Sequence, residues 1–197
     1  MKTAFVFSGQ GSQYVGMGQG VLDGHPIARR TFEEADEALG FSLSTLVKEG
    51  PEAVLTLTEN AQPAILVYSI ALLRVLGEER PALCPAMAAG HSLGEFTALV
   101  AAESLSFTDA VRLVRLRGQA MRESVAPGLG GMLAVMGLSG DVLAGLCAET
   151  RVGASGPAVS VAAFNSPVQS VVAGPVIALD KFQESAERAG ARQHRAS

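Results

Sequence analysis

Gly90-His91-Ser92-Leu93-Gly94 reads G-x-S-x-G, the pattern that lifts a serine onto a sharp turn between a strand and a helix. The flanks fit. Pro85-Ala86-Met87-Ala88-Ala89 is a short run of small apolar residues suited to a buried strand. Behind the turn, Gly94 to Ala102 carries Phe96, Leu99 and Val100 at helical spacing. The two glycines remove side chains where a tight elbow crowds strand against helix. A serine held there exposes its hydroxyl and faces the positive end of the following helix. That arrangement points to a covalent acyl-enzyme, and so to a partner base elsewhere in the chain.

The 197 residues suffice for one domain with a sizeable core, or one and a half. Apolar residues make up 48% and charged residues 17%, which marks a globular chain and excludes a disordered one. A net charge of -4 and dispersed basic residues, with no aromatic platform among them, exclude a nucleic-acid binder. The longest apolar segment, Ala64 to Leu73, stops at Arg74, short of the ~20 residues of a membrane span, so no membrane association is expected. The N-terminus enters Thr3-Ala4-Phe5-Val6-Phe7 with no basic leader, so a cytoplasmic protein is expected. Cys84 and Cys147 lie far apart in apolar surroundings and read as reduced core thiols, with no metal site implied.

Thr3 to Ser8 reads as a strand, ended by the loop Gly9-Gln10-Gly11-Ser12-Gln13. Helical patterns cover Ile27 to Ala38, Leu43 to Lys48 and the nearly all-apolar Gln62 to Leu76. Ser106-Phe107-Thr108-Asp109 is a capping box opening another helix. This alternation predicts an α/β domain with a parallel sheet. Ala126-Pro127-Gly128-Leu129-Gly130-Gly131 reads as a linker. Beyond it, Met132–Met136, Val159–Phe164 and Ser170–Ala173 read as strands, and Asp141–Thr150 and Ile177–Ala189 as helices. That order is one strand short of a ferredoxin-like β-α-β-β-α-β unit. Residues 191–197 are polar and lack alternation, so they read as an irregular tail.

Ser92 is the candidate nucleophile, against the alternative of a buried structural serine. A serine hydroxyl needs a base, usually histidine. His91 diverges from Ser92 across the elbow and suits a supporting role. His25 sits on a Gly-His-Pro turn, and His194 falls in the tail, where a solvated histidine is expected. The Gly9-Gln10-Gly11 loop lacks a Walker lysine and G-x-G-x-x-G spacing. It is either a plain turn or, at the carboxyl edge of a parallel sheet, a source of amides for an oxyanion, with the Leu93 amide as the second donor. On the helix from Thr108 to Glu123, Arg112, Arg115, Gln119, Arg122 and Glu123 share one face, and Arg117 falls among Ala110, Leu113, Val114 and Met121 on the other. An arginine there needs an anion: a protein carboxylate, or a substrate carboxylate held in a bidentate fork.

Five ordered motifs carry a family resemblance. They are Phe7-Ser8-Gly9-Gln10-Gly11-Ser12-Gln13, Gln62-Pro63, Gly90-His91-Ser92-Leu93-Gly94-Glu95, Arg115-Leu116-Arg117-Gly118 and Ala163-Phe164-Asn165-Ser166-Pro167. From residue 3 to about residue 192 the chain resembles the malonyl-CoA:acyl carrier protein transacylase family of bacterial fatty-acid synthesis, which is related to polyketide synthase acyltransferase domains. The resemblance implies an α/β-hydrolase-like parallel-sheet core over residues 1–126. It also implies an inserted ferredoxin-like subdomain over 127–191 lacking its last strand, with 192–197 an irregular tail and the C-terminal part of both units missing. It implies malonyl transfer from coenzyme A, through an ester on Ser92, to the phosphopantetheine thiol of acyl carrier protein. Gln10 and Leu93 would supply the oxyanion amides and Arg117 would hold the malonyl carboxylate. His91, Gln62 and Asn165 would line the cleft. A monomer with no bound cofactor and no metal is expected. Ser8 departs from the family's usual proline. Family members run on past this length to a base histidine that nothing here matches, so a fragment with impaired activity is expected. Two alternatives stand beside this reading: a serine hydrolase or thioesterase, and a non-catalytic module that docks the carrier protein.

Overall fold

A computed structural model describes residues 2–126, 128–151 and 158–196. The chain divides into two compact units, Met1–Ser124 and Val125–Ser197. Of the expected linker, Pro127 lies outside the described residues.

In the first unit, β1 (Ala4–Phe7) pairs in parallel with β2 (Met87–Gly90), with Phe7 opposite Gly90. Between them run α1 (Gln19–Gly24), α2 (Pro26–Leu39), α3 (Leu43–Glu49), α4 (Glu52–Leu55) and α5 (Thr58–Glu79); α6 (Leu93–Ala101) and α7 (Phe107–Glu123) follow β2. The centre of the unit is α5. Its apolar residues Leu66, Val67 and Ile70 are buried against Phe32 of α2 and Val111 and Val114 of α7. By length and composition α5 could cross a membrane, but 61% of its most apolar window is buried inside the protein, so its hydropathy is that of a core helix. Ser106 caps α7, accepting from the Asp109 amide (3.2 Å) and donating to the Asp109 carboxylate (2.6 Å).

The second unit contains β3 (Gly130–Met136), α8 (Gly140–Glu149), β4 (Ser160–Ser166), β5 (Gln169–Pro175), α9 (Val176–Arg188) and β6 (Arg192–Ala196). Its sheet runs β4-β5-β3-β6, with every pairing antiparallel. Leu133, Val135 and Val172 pack against Leu143, Leu179 and Phe182. The expectation of a missing strand and an irregular tail is corrected here. Residues 192–196 form β6, register-paired with Met132–Met136 of β3, and complete the β-α-β-β-α-β order. The strand lies at the sheet edge, where charged and polar residues are common, and so it carries no apolar alternation to read. The side chain of His194 lies outside the described residues.

The two thiols also separate. Cys147 is buried, and burial pushes its thiol up from the ordinary cysteine value, whereas Cys84 is exposed and is not a core residue.

Candidate active site

The site stands at the carboxyl edge of the β1–β2 pair, where an open parallel sheet holds its ligands. Leaving β2, the chain turns at Ser92, whose φ of 54° and ψ of -108° lie outside the regions open to L residues without strain. The glycines make this turn possible. A Cβ on Gly90 would overlap the carbonyl of Gly94, and one on Gly94 would overlap the carbonyl of Phe7 at the end of β1. A Cβ on Gly9 would fall 2.9 Å from the carbonyl oxygen of His91, so the loop after β1 lies directly against the elbow. Ser92 is the N-cap of α6, and Leu93 is its first residue. The Leu93 amide is one of the donors that a helix cannot satisfy internally. Ser92 itself is an exposed residue.

Arg117 reaches this hydroxyl from α7. Its Nη2 donates to Ser92 Oγ at 2.9 Å, and its Nη1 donates to Gln62 Oε1 at 2.6 Å. Its guanidinium carbon stands 5.9 Å from the centroid of the Phe96 ring. Gln62 is fully buried on α5. Its amide nitrogen donates to Thr58 Oγ1 at 2.9 Å and lies 3.3 Å from the sulfur of Met121. Thr58 in turn donates to Gln10 Oε1 at 2.8 Å. Four of the expected site residues, Ser92, Arg117, Gln62 and Gln10, therefore belong to one hydrogen-bonded chain. The linking residue, Thr58, escaped the sequence reading. Its signal was its place four residues before Gln62, on the same face of the helix.

The helix pair behind the site explains the arginines. Gly118 lets α7 touch α5, since a Cβ there would fall 2.5 Å from Glu59 Cα. Pro63 lies inside α5 and has no N–H to give the Glu59 carbonyl. Arg115 Nη1 supplies the missing donor at 2.8 Å and also bonds Asn60 Oδ1. Arg122 forms an ion pair with the buried Glu59 carboxylate. The expected amphipathic faces of α7 need correction. Phe107, Ala110, Val111, Val114 and Gly118 form the buried face, while Leu113 and Met121 are exposed. This face is turned by about 60° from the one read from the sequence, and Arg117 lies on its flank, half-buried.

His91 is in the elbow. His25 caps α2 and stands 3.7 Å from Glu79, at the far end of α5 from Gln62. Asn165 is an exposed residue of β4 in the second unit. Among the described residues no cluster of histidine, cysteine and carboxylate side chains is suited to a metal ion.

Residues 4–197 match the family model described as "acyl transferase domain". The chain is similar to the malonyl CoA-acyl carrier protein transacylase of Haemophilus influenzae, with 43% identity over 192 residues, 98% of this chain and 61% of that protein. Among solved structures it is similar to an acyl carrier protein S-malonyltransferase from Vibrio cholerae, with a TM-score of 0.90 and 42% identity, covering 100% of this chain and 63% of that one. It is likewise similar to a malonyl-transacylase in complex with its type II polyketide acyl-carrier protein, with a TM-score of 0.91 and 41% identity, again covering 100% and 63%. The chain thus spans about three fifths of the relatives it matches.

Proposed function

The chain belongs to the acyl transferase domain family, and from that premise we propose that it carries the acyl-binding centre of a malonyl-CoA:acyl carrier protein transacylase of fatty-acid synthesis. Ser92 Oγ attacks the thioester carbonyl of malonyl-CoA. The oxyanion that forms accepts from the amides of Gln10 and Leu93, at the positive end of α6. The C–S bond breaks, coenzyme A leaves as its thiol, and malonyl remains as an ester on Ser92. The phosphopantetheine thiol of acyl carrier protein then attacks this ester and regenerates Ser92. No cofactor enters either step, and the setting is cytoplasmic.

The observation that carries this reading is the bond between Arg117 and Ser92. The malonyl carboxylate is two carbon–carbon bonds from the carbonyl carbon under attack. A guanidinium 2.9 Å from Oγ is at the right range to hold that carboxylate while Oγ reaches the carbonyl. On binding, the carboxylate takes the Nη2 donor and frees Oγ. Gln62 keeps Nη1, so the fork turns little. An ordinary esterase substrate, which has no carboxylate at this distance, would leave the guanidinium unanswered. The family resemblance puts the base histidine beyond residue 197. Serine enzymes without their base lose several orders of magnitude in rate, so these 197 residues should bind malonyl-CoA but transfer its acyl group slowly.

Calorimetry with malonyl-CoA and acetyl-CoA tests the proposal, because the two differ by the carboxylate alone. A charge-assisted pair is worth roughly 1.5–3 kcal/mol, so malonyl-CoA should bind about ten- to a hundredfold more tightly, and Arg117→Ala should remove the preference. Equal affinities in the wild-type chain would contradict the reading.

A further inference from the structure

We propose that Thr58 is a positioning residue that couples the carboxylate clamp at Arg117 to the loop bearing Gln10. The inference rests on the transacylase reading above, and it extends that reading to a residue that touches no reacting atom.

The direction of the hydrogen bonds carries the argument. Arginine can only donate. Arg117 Nη1 at 2.6 Å therefore requires an oxygen from Gln62, so the Gln62 amide must present its NH2 group on the other side. That group meets Thr58 Oγ1 at 2.9 Å and makes it an acceptor. The single hydroxyl proton of Thr58 is then left to donate, and it goes to Gln10 Oε1 at 2.8 Å. Each link fixes the next, and the sense of the chain runs outward from the one permanent charge. Bonds aligned in this way polarise one another.

The placement of the residues supports the same role. Gln62 is fully buried, so its amide cannot turn to water if Thr58 is lost. Thr58 is the first residue of α5, four before Gln62, and so both side chains stand on one helix face. Gln10, by contrast, is on an exposed loop rich in glycine, and Thr58 ties its side chain to the rigid helix. A carboxylate arriving at Arg117 changes the polarisation of the guanidinium without breaking its bond to Gln62, and the change passes along the aligned bonds through Gln62 and Thr58 to the Gln10 loop. A carboxylate-bearing acyl group would thereby set the oxyanion loop in place, and an acyl group without the charge would not.

Thr58→Val, which keeps the shape and removes the hydroxyl, and Thr58→Ser, which restores the hydroxyl, test this by calorimetry with malonyl-CoA and acetyl-CoA. The wild type should prefer malonyl-CoA. Thr58→Val should lose about tenfold of that preference, and Thr58→Ser should keep most of it. A preference unchanged in Thr58→Val overturns the coupling and leaves the transacylase reading standing. A wild-type chain with no preference overturns both. A measurement on the unaltered chain stands independently, should Thr58→Val not fold. In nitrogen-15 spectra, malonyl-CoA should move the side-chain amide signals of Gln62 and Gln10 together, and acetyl-CoA should move neither as far. A shift at Gln62 with Gln10 unmoved overturns the coupling.

Discussion

Ser92 is held in a backbone conformation that a side chain makes costly, and the cost can be measured. A residue in such a region stores on the order of 1–3 kcal/mol, and glycine relieves most of it. Ser92→Gly and Ser92→Ala both remove the hydroxyl and its bond to Arg117, so the difference between them isolates the backbone. Ser92→Gly should be the more stable by about 1 kcal/mol in denaturant unfolding, after allowing for the extra freedom glycine has when unfolded. A less stable Ser92→Gly would mean that the turn is unstrained. Residue by residue, the elbow was legible because it needs glycine at two particular points, and Gly90 and Gly94 are both there. Arg117 was legible as an arginine in need of an anion, but its partners were not. Gln62 and Ser92 come to it from another helix and from a turn far away in the chain, and no local pattern records such meetings.

The elements were most legible where periodicity is strong. The apolar run from Gln62 to Leu76 lies within α5, and the Ser106–Asp109 capping box opens α7. Two things were hidden. The buried face of α7 is turned because Arg115 and Arg122 point toward α5, one to the carbonyl orphaned by Pro63 and the other to buried Glu59. Charged residues with partners on the next helix read as solvent-facing in a sequence. β6 was hidden because an edge strand pairs through its backbone on one side and needs no apolar stripe to do so. The element most exposed to test is the α5–α7 contact. Gly118→Ala places a methyl group against the backbone of Glu59, which no rotamer change can relieve. Overpacking of this kind costs about 1–3 kcal/mol. The variant should melt lower than wild type, and its preference for malonyl-CoA should fall as well, because Arg117 is the preceding residue. A melting temperature equal to that of wild type would show that the helices can part without strain.

At the scale of the whole molecule, a parallel strand pair brings the ends of β1 and β2 side by side, and with them the Gln10 loop and the Ser92 elbow. Helices α5 and α7 then carry Gln62, Thr58 and Arg117 to the same edge. The first unit alone thus assembles the proposed oxyanion donors, nucleophile and carboxylate clamp. Its sheet has only two strands among the described residues, and Val6 and Met87 on it are 77% and 63% exposed. The chain spans 61% of its Haemophilus influenzae relative. The most direct test of the centre is a diffraction structure of the chain soaked with malonyl-CoA. The malonyl carboxylate should accept from the guanidinium of Arg117, with the adjoining carbonyl carbon either bonded to Ser92 Oγ or within about 3–3.5 Å of it. A malonyl group bound with its carboxylate turned away from Arg117, or seated away from the Ser92 elbow, would contradict the account.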